Sequence, residues 1–84
     1  MNKEEIIEQL KTIVKPYVQN QEAFALLNEN TDFINDLNIN SANLVDVILD
    51  IEDTFNIQID NPSMEKMLDV KSTIEIIEIK LSEK

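Results

Sequence analysis

Twelve residues near the middle of the chain, Leu44 to Phe55, constrain the fold most strongly. Leu44, Val47, Ile48, Ile51 and Phe55 fall at i, i+3, i+4, i+7 and i+11, the repeat of one face of a 3.6-residue spiral. Asn43, Asp46, Asp50 and Asp53 keep the same spacing on a different face and form an acidic stripe. The lead-in, Asp36-Leu37-Asn38-Ile39-Asn40-Ser41, is rich in turn-forming asparagine and delivers one serine to the start of the helix. By itself that serine is an ordinary helix cap. The charges on Asp50 and Asp53 in the C-terminal half oppose the helix dipole by a few tenths of a kcal/mol, which hints at a use outside the fold.

Three other stretches read as helical. Asn2 and Glu5 are spaced as an N-cap and its N3 partner. Ile6, Ile7, Leu10, Ile13, Val14 and Tyr17 follow as an apolar face, which predicts a first helix over Lys3–Lys15. Pro16 ends or kinks it, because its ring crowds the preceding turn and it has no N–H. Asn61-Pro62 reads as N-cap and first residue of a short helix through Leu68, with Met64, Met67 and Leu68 inward. Ser72 and Glu75 form a capping-box pattern for a last helix to about Leu81. Ile74, Ile77 and Leu81 supply its face, and Ile76 and Ile79 widen the band.

Between the first two long helices lies an irregular stretch, Gln19–Asn40. Residues 21–27 form a short helical candidate with Phe24 and either Leu26 or Leu27 turned inward. A connection this long needs anchors in a compact domain, and Phe33, Ile34, Leu37 and Ile39 are the apolar residues available. The alternation in Asn56–Asp60 is too short for a sheet. The reading is an all-α four-helix bundle, three helices longer and one short. Eighty-four residues allow one domain over residues 1–84.

Composition removes several functions. Seventeen acidic residues against seven lysines, with no arginine or histidine, give a net charge of −10. That balance repels nucleic acid and anionic membranes and favours partners with basic patches. Without cysteine or histidine there is no disulfide, zinc set or usual acid–base pair, and without glycine no Gly-rich phosphate loop. Asp36, Asn38 and Asn40 begin like a calcium loop, but the required Gly position is Ser41 and the closing Glu position is Val47, so no metal site is expected. No long apolar run and no signal-like N-terminus is visible. A cytoplasmic monomer that is not an enzyme is the resulting expectation.

The segment Asp36-Leu37-Asn38-Ile39-Asn40-Ser41-Ala42, followed by an acidic helix ending in Phe55, resembles the prosthetic-group segment of acyl carrier proteins. Their usual pattern is Asp-Leu-Gly-x-Asp-Ser-Leu, and the similarity runs from about Asn30 to Leu81. Asn38 stands in place of Gly, Asn40 in place of Asp and Ala42 in place of Leu. Asn tolerates the left-handed backbone that such a turn requires, while the other two changes alter the charge and apolar surface that a transferase would meet.

The resemblance implies an all-α carrier fold. It also implies that a holo-carrier synthase (a phosphopantetheinyl transferase) joins 4′-phosphopantetheine from coenzyme A to Ser41, leaving a thiol that carries acyl groups as thioesters in fatty-acid, polyketide or related biosynthesis. Free backbone N–H groups at the helix start would favour the phosphate. Asp46, Glu52 and Asp53 match the family's partner-docking acids, with Asp50 an added one; Leu49 and Ile59 match apolar positions at the same surface. Partners would be acyl-processing enzymes with basic patches, such as a ketosynthase, an acyltransferase or a ligase. Val47, Ile51, Met64, Met67 and Ile77 are candidates for a core that opens to an alkyl chain, since Met is adaptable. The alternative is an acidic helical adaptor with the same fold and no prosthetic group.

Overall fold

The computed structural model describes residues 2–83. Its elements are α1 (Lys3–Val14), a single 3₁₀ turn (Lys15–Tyr17), α2 (Gln21–Ala25), α3 (Ser41–Phe55), α4 (Asn61–Lys66) and α5 (Val70–Ser82). Three helices are long and α4 is short, as the apolar spacing requires; α2 adds little more than one turn. No strand occurs among the described residues.

Local chemistry explains most boundaries. The Asn2 side chain accepts the Glu5 N–H at 2.8 Å and starts α1. At Pro16 the α-helix tightens to 3₁₀ and stops, with Val18 extended. The caps of α4 and α5 differ from the sequence reading. Asp60, not Asn61, caps α4, its carboxylate accepting the Ser63 N–H at 2.9 Å. Asp69, not Ser72, caps α5, accepting the Ser72 N–H at 2.7 Å. In both cases a carboxylate one or a few residues upstream takes the position, since negative charge suits the positive end of a helix. That shifts the start of α5 to Val70.

The core is one cluster of buried side chains. It includes Ile6 and Leu10 of α1, the full predicted face of α3, and Val70, Ile74 and Ile77 of α5. Helix α1 packs against both α3 and α5, and α4 rests on α5. Two expectations change, and one open alternative is decided. Leu68 lies beyond the end of α4 and is about half exposed, and Ile79 points outward at 55% exposure while Ile76 is buried. Leu26 is 75% exposed, and Leu27 takes the inward position.

The irregular connection is tied down on several sides. Phe33, Leu37 and Ile39 are buried, and Ile34 packs partly against the core. Backbone bonds clasp residues 29–33 to residues 68–71: Phe33 N–H to the Leu68 carbonyl, Val70 N–H to Thr31 and Lys71 N–H to Glu29, each 3.0 Å. Lys3 pairs with the Glu29 carboxylate at 2.7 Å. The lysine's hydrogen bond, then its charge, lowers the Glu29 pKa from the ordinary carboxylate range.

Candidate functional site

The turn before Ser41 is built from two asparagines. Asn38 has φ 55°, in the left-handed region where the related pattern has glycine. Directly after it, the Ile39 N–H donates to the Phe33 carbonyl at 3.0 Å and the Ile39 side chain is buried. Asn40 is extended (φ −61°, ψ 135°) and caps α3, its side chain accepting the Ala42 N–H at 2.8 Å. Ser41 is therefore the first residue of the helix rather than its cap.

Asn40 also satisfies most of the amides at this helix end. Its carbonyl accepts from Asn43 at 2.9 Å and from Leu44 at 3.1 Å. Of the backbone groups expected to be free for a phosphate, only the Ser41 N–H remains outside these bonds. The Ser41 side chain is exposed, and no hydrogen bond among the described residues involves its hydroxyl. The first turn of α3 carries no acidic residue, so nothing on the helix start itself repels an anion.

The acidic stripe divides into two kinds of carboxylate. Asp46 and Asp53 are exposed. Asp50 is half-buried and accepts a long, 3.4 Å hydrogen bond from the Tyr17 hydroxyl. Burial first, then the charges of Asp50 and Asp46, push the Tyr17 pKa above its ordinary 10.0. Glu52 is half-buried and accepts the Ile59 N–H at 2.7 Å. Ile59 is itself only 8% exposed, so it belongs to the core boundary and not to an outer apolar surface. The burial follows from the alternation in Asn56–Asp60, which turns Ile57 and Ile59 to the same side.

Leu49 stands beside the stripe at 51% exposure, and Val45, one turn earlier, at 48%. Val45 is missing from the sequence-level site. Its signal was present, since Val45 and Leu49 are i, i+4 partners that fall outside the buried face. No ion pair among the described residues involves an α3 carboxylate, and no lysine occurs between Lys15 and Lys66.

The five alkyl-pocket candidates all belong to the core or pack against it. Val47, Ile51, Met67 and Ile77 are fully buried in the cluster, and Met64 packs half-buried against it. None of them lines the clefts that open around Asn56–Gln58, Asn20–Asp36 or Glu75–Ser82. Among the described residues no group of three or more metal-ligating side chains forms, and no helix is long and apolar enough to cross a membrane.

No family model matches the chain. The crystal structure of the acyl carrier protein from Thermotoga maritima superposes with a TM-score of 0.78, covering 99% of this chain and 94% of that one at 23% identity. The fold is thus that of a carrier protein. In sequence, the acyl carrier protein of Coprothermobacter proteolyticus is 33% identical over 81 residues, 96% of each chain. That of Lactobacillus acidophilus is 32% identical over 77 residues, 92% of this chain and 94% of its own. The chain belongs to the acyl carrier protein family, whose members are carriers and not enzymes.

Proposed function

We propose that this chain carries acyl intermediates for fatty-acid, polyketide or related biosynthesis on 4′-phosphopantetheine attached through the Ser41 hydroxyl. The observation that carries the reading is that hydroxyl: exposed, without a hydrogen bond among the described residues, on the first residue of a 15-residue helix. When bound, the group would supply the reactive thiol that a cysteine-free chain lacks. Ser41 contributes only the oxygen. Its own N–H and the positive end of α3 favour the negative charge of a phosphodiester there, and the uncharged Asn40 holds the turn without adding repulsion.

Asp46 and Asp53, with Leu49 and Val45 between and beside them, form the face offered to partners with basic patches: the transferase, then ketosynthase-, acyltransferase- or ligase-type enzymes. Their encounter would be fast and salt-sensitive, since no ion pair among the described residues neutralises this face. Asp50 contributes from a position fixed by Tyr17. The alkyl part of a cargo would enter among Val47, Ile51, Met64, Met67 and Ile77, where the two methionines can rearrange. The chain acts in this reading as one domain and as a monomer in the cytoplasm.

Incubation with coenzyme A and a broad-specificity phosphopantetheinyl transferase tests the proposal. Intact mass should rise by one phosphopantetheine, and the gain should vanish in Ser41→Ala. An unchanged mass with several transferases would leave an acidic adaptor with a carrier fold.

A further inference from the structure

A cleft of about 390 Å³ opens between α2 and the loop that leads to Ser41, a size that suits a small molecule. In a chain of net charge −10, the one charged group in its lining is Asp36; the other polar walls are asparagine and threonine. We propose that this cleft is a resting berth for the two amide groups of a phosphopantetheine arm on Ser41, held by the side chains of Asn20, Asn30 and Asn35. The berth rests on the carrier function proposed above.

The polar lining divides into groups engaged in building the loop and groups left free. Asn28 uses both ends of its side chain, accepting from the Asn30 N–H at 2.7 Å and donating to the Leu26 carbonyl at 3.2 Å. The Thr31 hydroxyl accepts from the Asn28 N–H, and the Asp36 carboxylate accepts from the Asp32 N–H. These bonds make the wall. Asn20 caps α2 with its side-chain oxygen, which leaves its NH₂ group unbonded among the described residues. Asn30 and Asn35 are exposed, and among the described residues only their backbone N–H groups are bonded, not their side chains. An asparagine side chain offers both a donor and an acceptor, which is what a secondary amide of the arm needs on its two sides. Leu26, 75% exposed, gives the same cleft an apolar edge that the arm's paired methyl groups would cover.

Reach favours this cleft. Asp36 lines it and stands five residues before Ser41. Five residues span at most about 18 Å, and the arm, from the Ser41 Cα to its sulfur, has about as many bonds in line as five residues of backbone. The direct distance is shorter, since the chain turns at Asn38 and the Ile39 N–H reaches back to the Phe33 carbonyl. The Gln19 and Asn20 N–H groups donate to the Leu37 carbonyl at 3.1 and 3.3 Å, which ties Asn20 to the same loop. The clefts around Asn56–Gln58 lie past the far end of the 15-residue α3. That is roughly 22 Å of helix, so an arm would have to lie stretched along all of it to touch them. Tethering compensates for weak bonds: a group on a short leash meets its site at millimolar effective concentration. A few amide bonds can therefore hold the arm at rest and still yield to a partner enzyme.

The test compares NMR spectra of the full chain before and after phosphopantetheine is transferred to Ser41. The side-chain NH₂ signals of Asn20, Asn30 and Asn35 and the Leu26 methyl signals should shift, and the pantetheine methyls should show nuclear Overhauser contacts to Leu26. The Gln58 side chain, in a cleft beyond the other end of α3, should stay unmoved. Replacing Asn30→Ala and Asn35→Ala together removes two of the three amides, and neither residue has a positive φ that alanine would resist. In that variant the thermal midpoint should hold while the Leu26 contacts weaken by roughly fivefold or more, the effect of losing at least one neutral hydrogen bond. Contacts of undiminished strength there would overturn the role of the asparagines. A modified chain whose shifts are confined to the residues next to Ser41, with no contact to Leu26, would overturn the berth alone. A chain that gains no mass from several transferases would overturn the carrier reading and the berth with it.

Discussion

Replacing Asn38 isolates a single cause, the handedness of one backbone position. Asn38 sits at φ 55°, is exposed, and its side chain makes no hydrogen bond among the described residues. The turn cannot relax by rotating, because Leu37 and Ile39 on either side are buried and the Ile39 N–H is bound to Phe33. A residue with a β-carbon pays about 1–2 kcal/mol for this conformation, less for Asn, and Gly avoids it at an unfolded-state cost of about 0.5–1 kcal/mol. Asn38→Gly should therefore stay within about 0.5 kcal/mol of the parent, while Asn38→Ala should fall about 1 kcal/mol below Asn38→Gly. For a chain of this size that difference is about 4–8 °C in Tm. Thermal unfolding followed by far-ultraviolet circular dichroism measures it. Equal Tm values for the Ala and Gly variants would refute the reasoning, since the backbone would then be free to leave the left-handed region.

Two further perturbations address the acidic helix. Tyr17 is the chain's one tyrosine, so phenolate absorbance reports it alone, and its midpoint should lie above 10.0. Asp50→Asn should lower that midpoint without restoring 10.0, because burial is the larger cause; an unmoved midpoint would show that the two side chains do not interact. The sign for stability follows: a pKa raised in the folded state gives a contribution present below the unfolded pKa and lost as pH climbs through the folded one. Charge reversal at Asp53, in the last turn of α3, should stabilise the helix by about 0.3–1 kcal/mol in thermal unfolding. Joined with Asp46→Lys it should slow association with a basic partner in a salt-dependent way, and unchanged association kinetics would remove the docking role from this face.

Helix α3 was legible in full because five apolar residues on one spiral face leave a single way to bury them, and all five are buried. The asparagine at 38 was legible for a similar reason, a conformation few residues accept. Cap positions were not. Asp60 adjoins Asn61, and Asp69 precedes Ser72, so several competent acceptors compete and only the folded geometry ranks them. Helix α5 carries isoleucine at 74, 76, 77 and 79, too apolar all round for its spacing to decide that Ile76 turns inward and Ile79 outward. At the site, Ser41 and its neighbours were readable as a local pattern, whereas Glu52 was not. Its bond to Ile59 crosses a helix end and a turn, and no periodicity encodes it. Tyr17 meeting Asp50 spans 33 positions and depends on α1 packing against α3.

The clasp between residues 29–33 and 68–71 has a bearing on biosynthesis. During translation the amide of Phe33 emerges long before the Leu68 carbonyl that it will meet, and the chain is extended residue by residue. Until Lys71 has cleared the ribosome, the stretch leading to the serine lacks the three backbone bonds that give it its final course. A nascent chain therefore presents the serine on an unfinished platform until residues 68–71 have emerged and closed the clasp.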